Sequence, residues 1–332
     1  MVARAHISTE ERFVSAETRE ALIREVQTGL LNAPRSLAPW IFYDAQGSRL
    51  FESITTLPEY YLTRTERGIF VRFADEILAA AHPDAAQPLR LLELGAGTAA
   101  KTGILLQAAV RSRRKAVYTP VDVSPEALDV ARQSIASVAP QVQIQPVVAN
   151  YVTDPLQLEH FRGTTLALYI GSSIGNFLPQ EARIILRNLR SQLQSGDSLL
   201  LGVDMVKDEA TLLAAYDDAA GVTAQFNLNM LHRLNRDLGA DFRPACFEHC
   251  ARWNPAKSRM EMHLESKHDQ DVWIAEAEMG VHFAKGETIH TENSYKFTPE
   301  AIGDLLADTG FEPVRTWTDE RRWFTVTLAR LP

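Results

Sequence analysis

A chain of 332 residues is long for one domain and sufficient for two, and 45% apolar against 23% charged residues suits a globular protein with a sizeable core. Its net charge of -8 argues against nucleic-acid and anionic-membrane partners, both of which attract basic patches. Two cysteines, Cys246 and Cys250, are too few for a disulfide framework, and with His249 between them they lack the second ligand pair of a structural zinc site, so no metal is expected.

The leading stretch MVARAHISTEERF has no apolar targeting core, and no run approaches the roughly 20 apolar residues of a membrane span. The expected location is the cytoplasm. From Leu89 onward, short apolar strands alternate with helical stretches, the pattern of a parallel sheet covered on both faces. LRLLELG reads as a strand and GTAAKTGILLQAAV as the helix after it. The basic run RSRRK follows as a solvated turn. AVYTPVDVS is a second strand, and SPEALDVARQSIASV a helix with Ser124 as cap and Pro125 at its first position. VQIQPVVANY, TTLALYIGSS and DSLLLGVDMV are the third, fourth and fifth strands, with PQEARIILRNLRSQL a helix between the last two.

From about Asp208 to Ser294 the alternation stops, and a helical part, TLLAAYDDAAGVTAQFNLNMLHRL, precedes alternating runs such as SRMEMHLESKH and DVWIAEAEMGVHF. This segment reads as an insertion, with the first ~60 residues packing beside it. TPEAIGDLLADTGF is then a helix ending at Gly310, and EPVRTWTD with RRWFTVTLARL a closing hairpin at the sheet edge.

The stretch LLELGAGTAAKT admits two ligands. Gly95, Lys101 and Thr102 imitate a phosphate-binding P-loop, with Asp204 as a possible second acid, but Ala100 stands where such a loop needs a flexible backbone. A nucleoside accounts for more residues. Glu93 precedes a compact G-x-G, Asp122 ends the next strand where an acid can accept from both ribose hydroxyls, and Asn150-Tyr151 offer an amide and a ring to adenine. Asp122 could instead cap the following helix.

Taken together, FYDAQGSRLFESIT, LPEYYLTRTE, ELGAGTAAKT, GSSIGNF, LLLGVDMVKD, LLAAYDDAAGVTAQFNLN, NRDLGADF and IHTENSYKF make the chain resemble, over nearly its whole length, the L-histidine Nα-methyltransferases of ergothioneine biosynthesis. Relatives of that family act on tryptophan derivatives. The resemblance implies a Rossmann-like class I methyltransferase sheet (65–207 and 295–332) with an α+β substrate domain (1–64 and 208–294). It implies trimethylation of free L-histidine to hercynine, with S-adenosyl-L-methionine as donor and S-adenosyl-L-homocysteine as product. A monomer with no nucleic-acid or membrane partner is expected.

On the family's pattern, Gly95, Lys101 and Asp122 hold the methyl donor, with Asn150 and Tyr151 at adenine, where an amide replaces the usual acid and weaker binding is expected. Tyr60, Gly171, Asn176, Tyr216 and Met262 line the amino-acid site, Asn176 and Tyr216 toward the carboxylate. Glu292 and Ser294, two apart in a strand, face the imidazole. Tyr43 is the hydroxyl expected nearest the reacting nitrogen. The alternatives are a methyltransferase for tryptophan or prenylated tryptophan, and a regulatory protein that binds the donor without turnover.

Overall fold

In the computed structural model, which describes residues 16–152, 156 and 158–332, the chain opens with α1 (Ala16–Leu31), β1 (Arg35–Ser36), a 3-10 turn (Pro39–Phe42) and α2 (Ala45–Thr55). The leading stretch read for a targeting segment lies outside these residues. There follow α3 (Tyr61–Ala81), β2 (Leu89–Leu94), α4 (Ala100–Arg111), β3 (Ala116–Asp122) and α5 (Pro125–Val138). The third expected strand is broken into β4 (Gln143–Ile144) and β5 (Val147–Val148), both paired with β3. Pro146 lies between them and has no N–H to give a ladder.

Next are β6 (Thr164–Tyr169), α6 (Pro179–Arg190), β7 (Ser198–Asp204), α7 (Glu209–Tyr216) and α8 (Val222–Leu238). The single helical part expected here divides before Gly221, whose φ of +70° suits glycine. The remainder is β8 (Phe247–Asn254), β9 (Arg259–Ser266), β10 (Gln270–Ile274), β11 (Met279–Phe283), β12 (Thr288–Tyr295), α9 (Pro299–Asp308), β13 (Glu312–Thr318) and β14 (Phe324–Arg330). The run DVWIAEAEMGVHF is thus a hairpin of β10 and β11, antiparallel in register. Among the described residues no helix is long and apolar enough to cross a membrane.

The chain folds into two compact units. One comprises Met1–Ile54 in its described part, Ala219–Ala251 and Met262–Glu292; the other comprises Thr55–Asp218, Arg252–Glu261 and Asn293–Pro332. These bounds differ from those read in the sequence by up to about ten residues, and 252–261 falls in the sheet-bearing unit. α3 stays whole in that unit because it packs on α4 and β14.

The larger unit holds one sheet in the order β13-β14-β7-β6-β2-β3-β4, with β5 also on β3. β2 pairs in parallel with β3 and β6, and β6 with β7, whereas β14 runs antiparallel between β7 and β13. This is a Rossmann-like class I methyltransferase sheet, closed by the expected hairpin. Successive residues of a strand point to opposite faces. Leu91 and Leu200 accordingly join the core under α3 and α4, while Leu92, Leu199 and Leu201 join the core under α6 and α9. Each such leucine, fully buried, contributes about 1.5–3 kcal/mol. Burying both faces leaves the C-terminal ends of β2, β3, β6 and β7 as the place where loops can hold a ligand.

The smaller unit carries a sheet in the order β1-β12-β9-β8, whose three long strands run past the unit's limits at Glu292, Met262 and Ala251. α8 is unusual in burying Asn227, Asn229, Arg233 and Asp237 beside Phe226, Met230 and Leu234. The FYD segment satisfies several of those polar groups. Arg233 donates to the Ile41 carbonyl at 2.9 Å and pairs with Asp237 at 3.3 Å, and Asn229 donates to Asp44 at 2.9 Å. Asp44 also accepts from the Gly47 N–H at 2.7 Å, and a Cβ on Gly47 would collide with the Phe42 carbonyl. Burial pushes the Asp44 carboxyl up, but the bonds from Gly47, Arg236 and Asn229 outweigh it and hold the group below its ordinary value.

Candidate active site

After β2 the backbone turns through Gly95 (φ +69°), Gly97 (φ +49°) and Ala99 (φ +52°) into α4. Nothing lies within 4 Å of a Cβ built on Gly97, so the turn faces open space there, whereas at Gly95 such an atom would sit 3.0 Å from the Tyr151 hydroxyl. Asp122, ending β3, accepts from the Gly97 N–H at 3.4 Å and from the Ser124 N–H at 3.0 Å. Ser124 itself caps α5 through the Ala127 N–H at 3.1 Å, so the helix does not need Asp122 as its cap. Burial pushes the Tyr151 phenol up to about 12, with the Asp122 charge adding to it. Asn150 is exposed, and its side-chain oxygen accepts from the Val152 N–H at 3.1 Å, a local turn that uses one of its two lone pairs. An approachable glycine backbone, a half-buried acid one strand away and a phenol over the turn fit an adenosyl group.

The P-loop reading does not survive. Thr102 is fully buried, as is Asp204, so neither can reach a nucleotide-bound metal. Lys101 forms a close ion pair with Glu66 of α3, and the carboxylate also accepts from the Gly171 N–H at 2.9 Å. Burial pushes Glu93 up to about 7, and the Tyr118 hydroxyl donates to it, joining β2 to β3 below the turn.

The turn after β6, GSSIGNF, begins at Gly171 (φ +80°) and continues through a 3-10 turn (Ser173–Asn176). A Cβ on Gly171 would stand 3.1 Å from Lys101 Nζ, so the structure brings this predicted substrate turn against the predicted cofactor lysine. Asn176 is half-buried and does not cap α6, whose first N–H groups follow Leu178; the Leu178 N–H donates to Glu181 at 2.7 Å. Tyr60 precedes the first turn of α3, where its carbonyl accepts from Arg64 at 3.0 Å.

Tyr216 and Ser294, assigned in the sequence to opposite ends of the substrate, are bonded to one another. The Tyr216 hydroxyl donates to Ser294 Oγ at 2.7 Å, and Lys296 Nζ donates to both, at 2.7 and 2.9 Å. Lys296 in turn pairs with Asp204 at 3.0 Å, and Asp204 holds Lys207 at 2.6 Å and the Tyr61 hydroxyl at 2.7 Å. Both lysines and the aspartate are almost wholly buried, with side-chain exposures of 0%, 4% and 0% for Lys296, Lys207 and Asp204. Sequence reading missed Lys296 and Lys207 and gave Asp204 little weight. The only available signal was their place in the motifs LLLGVDMVKD and IHTENSYKF.

In the smaller unit, Tyr43 is half exposed, with its ring edge-on to Phe51 and Phe226, each at 6.0 Å. Met262 is buried, and its carbonyl accepts from Thr291 Oγ1 at 3.0 Å. Glu292 is half-buried on β12, two residues before Ser294 on the same strand. Among the described residues, no group of three or more His, Cys, Asp or Glu side chains could hold a metal ion.

The family model described as histidine-specific, SAM-dependent methyltransferase matches residues 22–331. The chain is 44% identical to the histidine N-alpha-methyltransferase of Mycolicibacterium smegmatis over 93% of this chain and 95% of that one. It is 41% identical to the enzyme of the same name from Mycobacterium tuberculosis, over 93% and 94%. With the N-methyltransferase fsqC of Aspergillus fumigatus it shares 30% identity over 91% and 81%. The chain belongs to the histidine-specific, S-adenosylmethionine-dependent methyltransferase family.

Proposed function

We propose that this chain methylates the α-nitrogen of free L-histidine three times, giving hercynine in the first step of ergothioneine biosynthesis. The observation that supports histidine most is the hydrogen-bonding state of Ser294. Its oxygen already accepts from Tyr216 and Lys296, so the proton it has left is one to donate. Glu292 offers an acceptor. A donor and an acceptor on one strand match neutral imidazole, which carries one lone pair and one N–H. An indole has a donor and no acceptor, and would leave the Ser294 proton without an acceptor; buried polar groups left in that state discriminate strongly between ligands.

S-adenosylmethionine supplies a methyl group on a positively charged sulfur, and Gly95, Asp122, Tyr151 and Lys101 are the residues that would hold it. The chain's own task is to orient the amine and keep it unprotonated. Asn176 takes the carboxylate, since the Tyr216 proton is already given to Ser294, and Tyr43 offers a hydroxyl to the nitrogen. Asp44, Asn229 and Arg233 fix the segment that carries Tyr43. The protein acts as a cytoplasmic monomer, and neither Cys246 nor Cys250 is in a disulfide.

Titration with histidine and with tryptophan in the presence of S-adenosylhomocysteine separates the two substrate readings. Heat from histidine alone supports the proposal, and heat from tryptophan alone overturns it. The rate should also climb between pH 7 and about 9. An α-amine is mostly protonated at neutral pH, only the free base attacks, and its fraction grows about tenfold per unit below the pKa. A flat pH profile, with chemistry shown to be rate-limiting, would count against this.

A further inference from the structure

We propose that Glu66 is a positioning residue that ties the turn at Gly171 to Lys101, so that one buried carboxylate sets both the substrate side and the donor side of the site. The proposal rests on the reading of those two positions given above. Glu66 closes the motif LPEYYLTRTE and lies on α3, wholly buried. A carboxylate in that setting is costly unless each oxygen is engaged. Here one oxygen pairs with Lys101 Nζ and the other accepts from the Gly171 N–H at 2.9 Å.

The fold makes room for this arrangement. A Cβ on Gly202 would collide with Glu66 Oε1, which accounts for a glycine inside the apolar strand LLLGVD, where it otherwise weakens pairing. The Gly202 carbonyl then accepts from the Ser172 N–H at 3.1 Å, adding a second tie to the same turn. Gly171 itself adopts φ +80°, a conformation most side chains avoid, and lies against Lys101. The carboxylate therefore holds an N–H in place at a turn whose following residues include Asn176, while neutralising the lysine in the first turn of α4. Glu66, wholly buried, acts through these two groups.

The test compares two charge-neutral pairs, Glu66→Gln with Lys101→Met and Glu66→Met with Lys101→Met. Both lack the lysine and keep the length of residue 66, and they differ in whether an oxygen remains for the Gly171 N–H. Both should bind S-adenosylhomocysteine on the order of tenfold more weakly than the parent, the loss of one charged hydrogen bond. Measured at saturating donor, the histidine KM of the Met pair should exceed that of the Gln pair on the order of tenfold. Equal histidine KM values in the two pairs overturn the proposal. So does loss of cooperative folding in either pair, which would make the contact a folding element only. Unchanged S-adenosylhomocysteine affinity in both pairs would instead refute the placement of the donor at Lys101, while the histidine comparison still judges Glu66.

Discussion

Asp204→Asn is expected to destabilise the chain by about 3–5 kcal/mol, because removing one partner of a buried ionic cluster leaves charge without compensation. Asparagine keeps the volume and an oxygen for the Tyr61 hydroxyl, but it strands Lys207 and Lys296, whose side chains are 4% and 0% exposed. The melting temperature should fall on the order of 10 °C. The pH dependence identifies the cause. Burial pushes Lys207 down to about 8 against the pull of Asp204. Above that pH the folded chain binds fewer protons than the unfolded one, so stability rises with pH up to the ordinary lysine value. Without the carboxylate the folded-state value drops further, and the rise should begin at lower pH in the variant than in the parent. Thermal melts from pH 6 to 10 measure both effects. An unchanged melting point, or a rise at the parent's pH, would show that the aspartate does not hold the lysines.

Glu292→Ala should cost on the order of 100-fold in kcat/KM for histidine while leaving S-adenosylhomocysteine affinity within about twofold. The proposed reading gives Glu292 the imidazole N–H and nothing on the donor. Without the carboxylate, Ser294 can still donate to the other nitrogen, which explains why the loss should be large but incomplete. Glu292→Gln keeps an acceptor and should recover part of the activity. Steady-state kinetics and calorimetry report the two ligands separately, and a loss confined to the donor would overturn the pocket assignment.

The sheet was legible because its signals are local. Alternating apolar pairs in LRLLELG bury two faces, and Ser124-Pro125 starts a helix by chemistry available within four residues. Pro146 shows the limit: its effect on the third strand could be read from the sequence, but the length of the surrounding apolar run masked it. The glycine turn and Asp122 were legible for the same reason, each standing at a strand end. The polar framework was not. Lys101 meets Glu66 across 35 positions, Asn229 meets Asp44 across 185, and Lys296 meets Tyr216 across 80. Nothing in periodicity marks such partners, because a buried charge reads in sequence like a solvated one until its counter-charge is placed beside it. The bond between Tyr216 and Ser294 was hidden in the same way, and with the one from Lys296 it narrows what Ser294 can offer a ligand to a donor.

The most direct measurement is incubation with isotopically labelled S-adenosylmethionine and each of the twenty amino acids in turn, with product masses read out. The account predicts label in histidine alone, ending at a gain of three methyl groups on the α-nitrogen. Label in tryptophan and none in histidine, or no transfer to any amino acid, would contradict it.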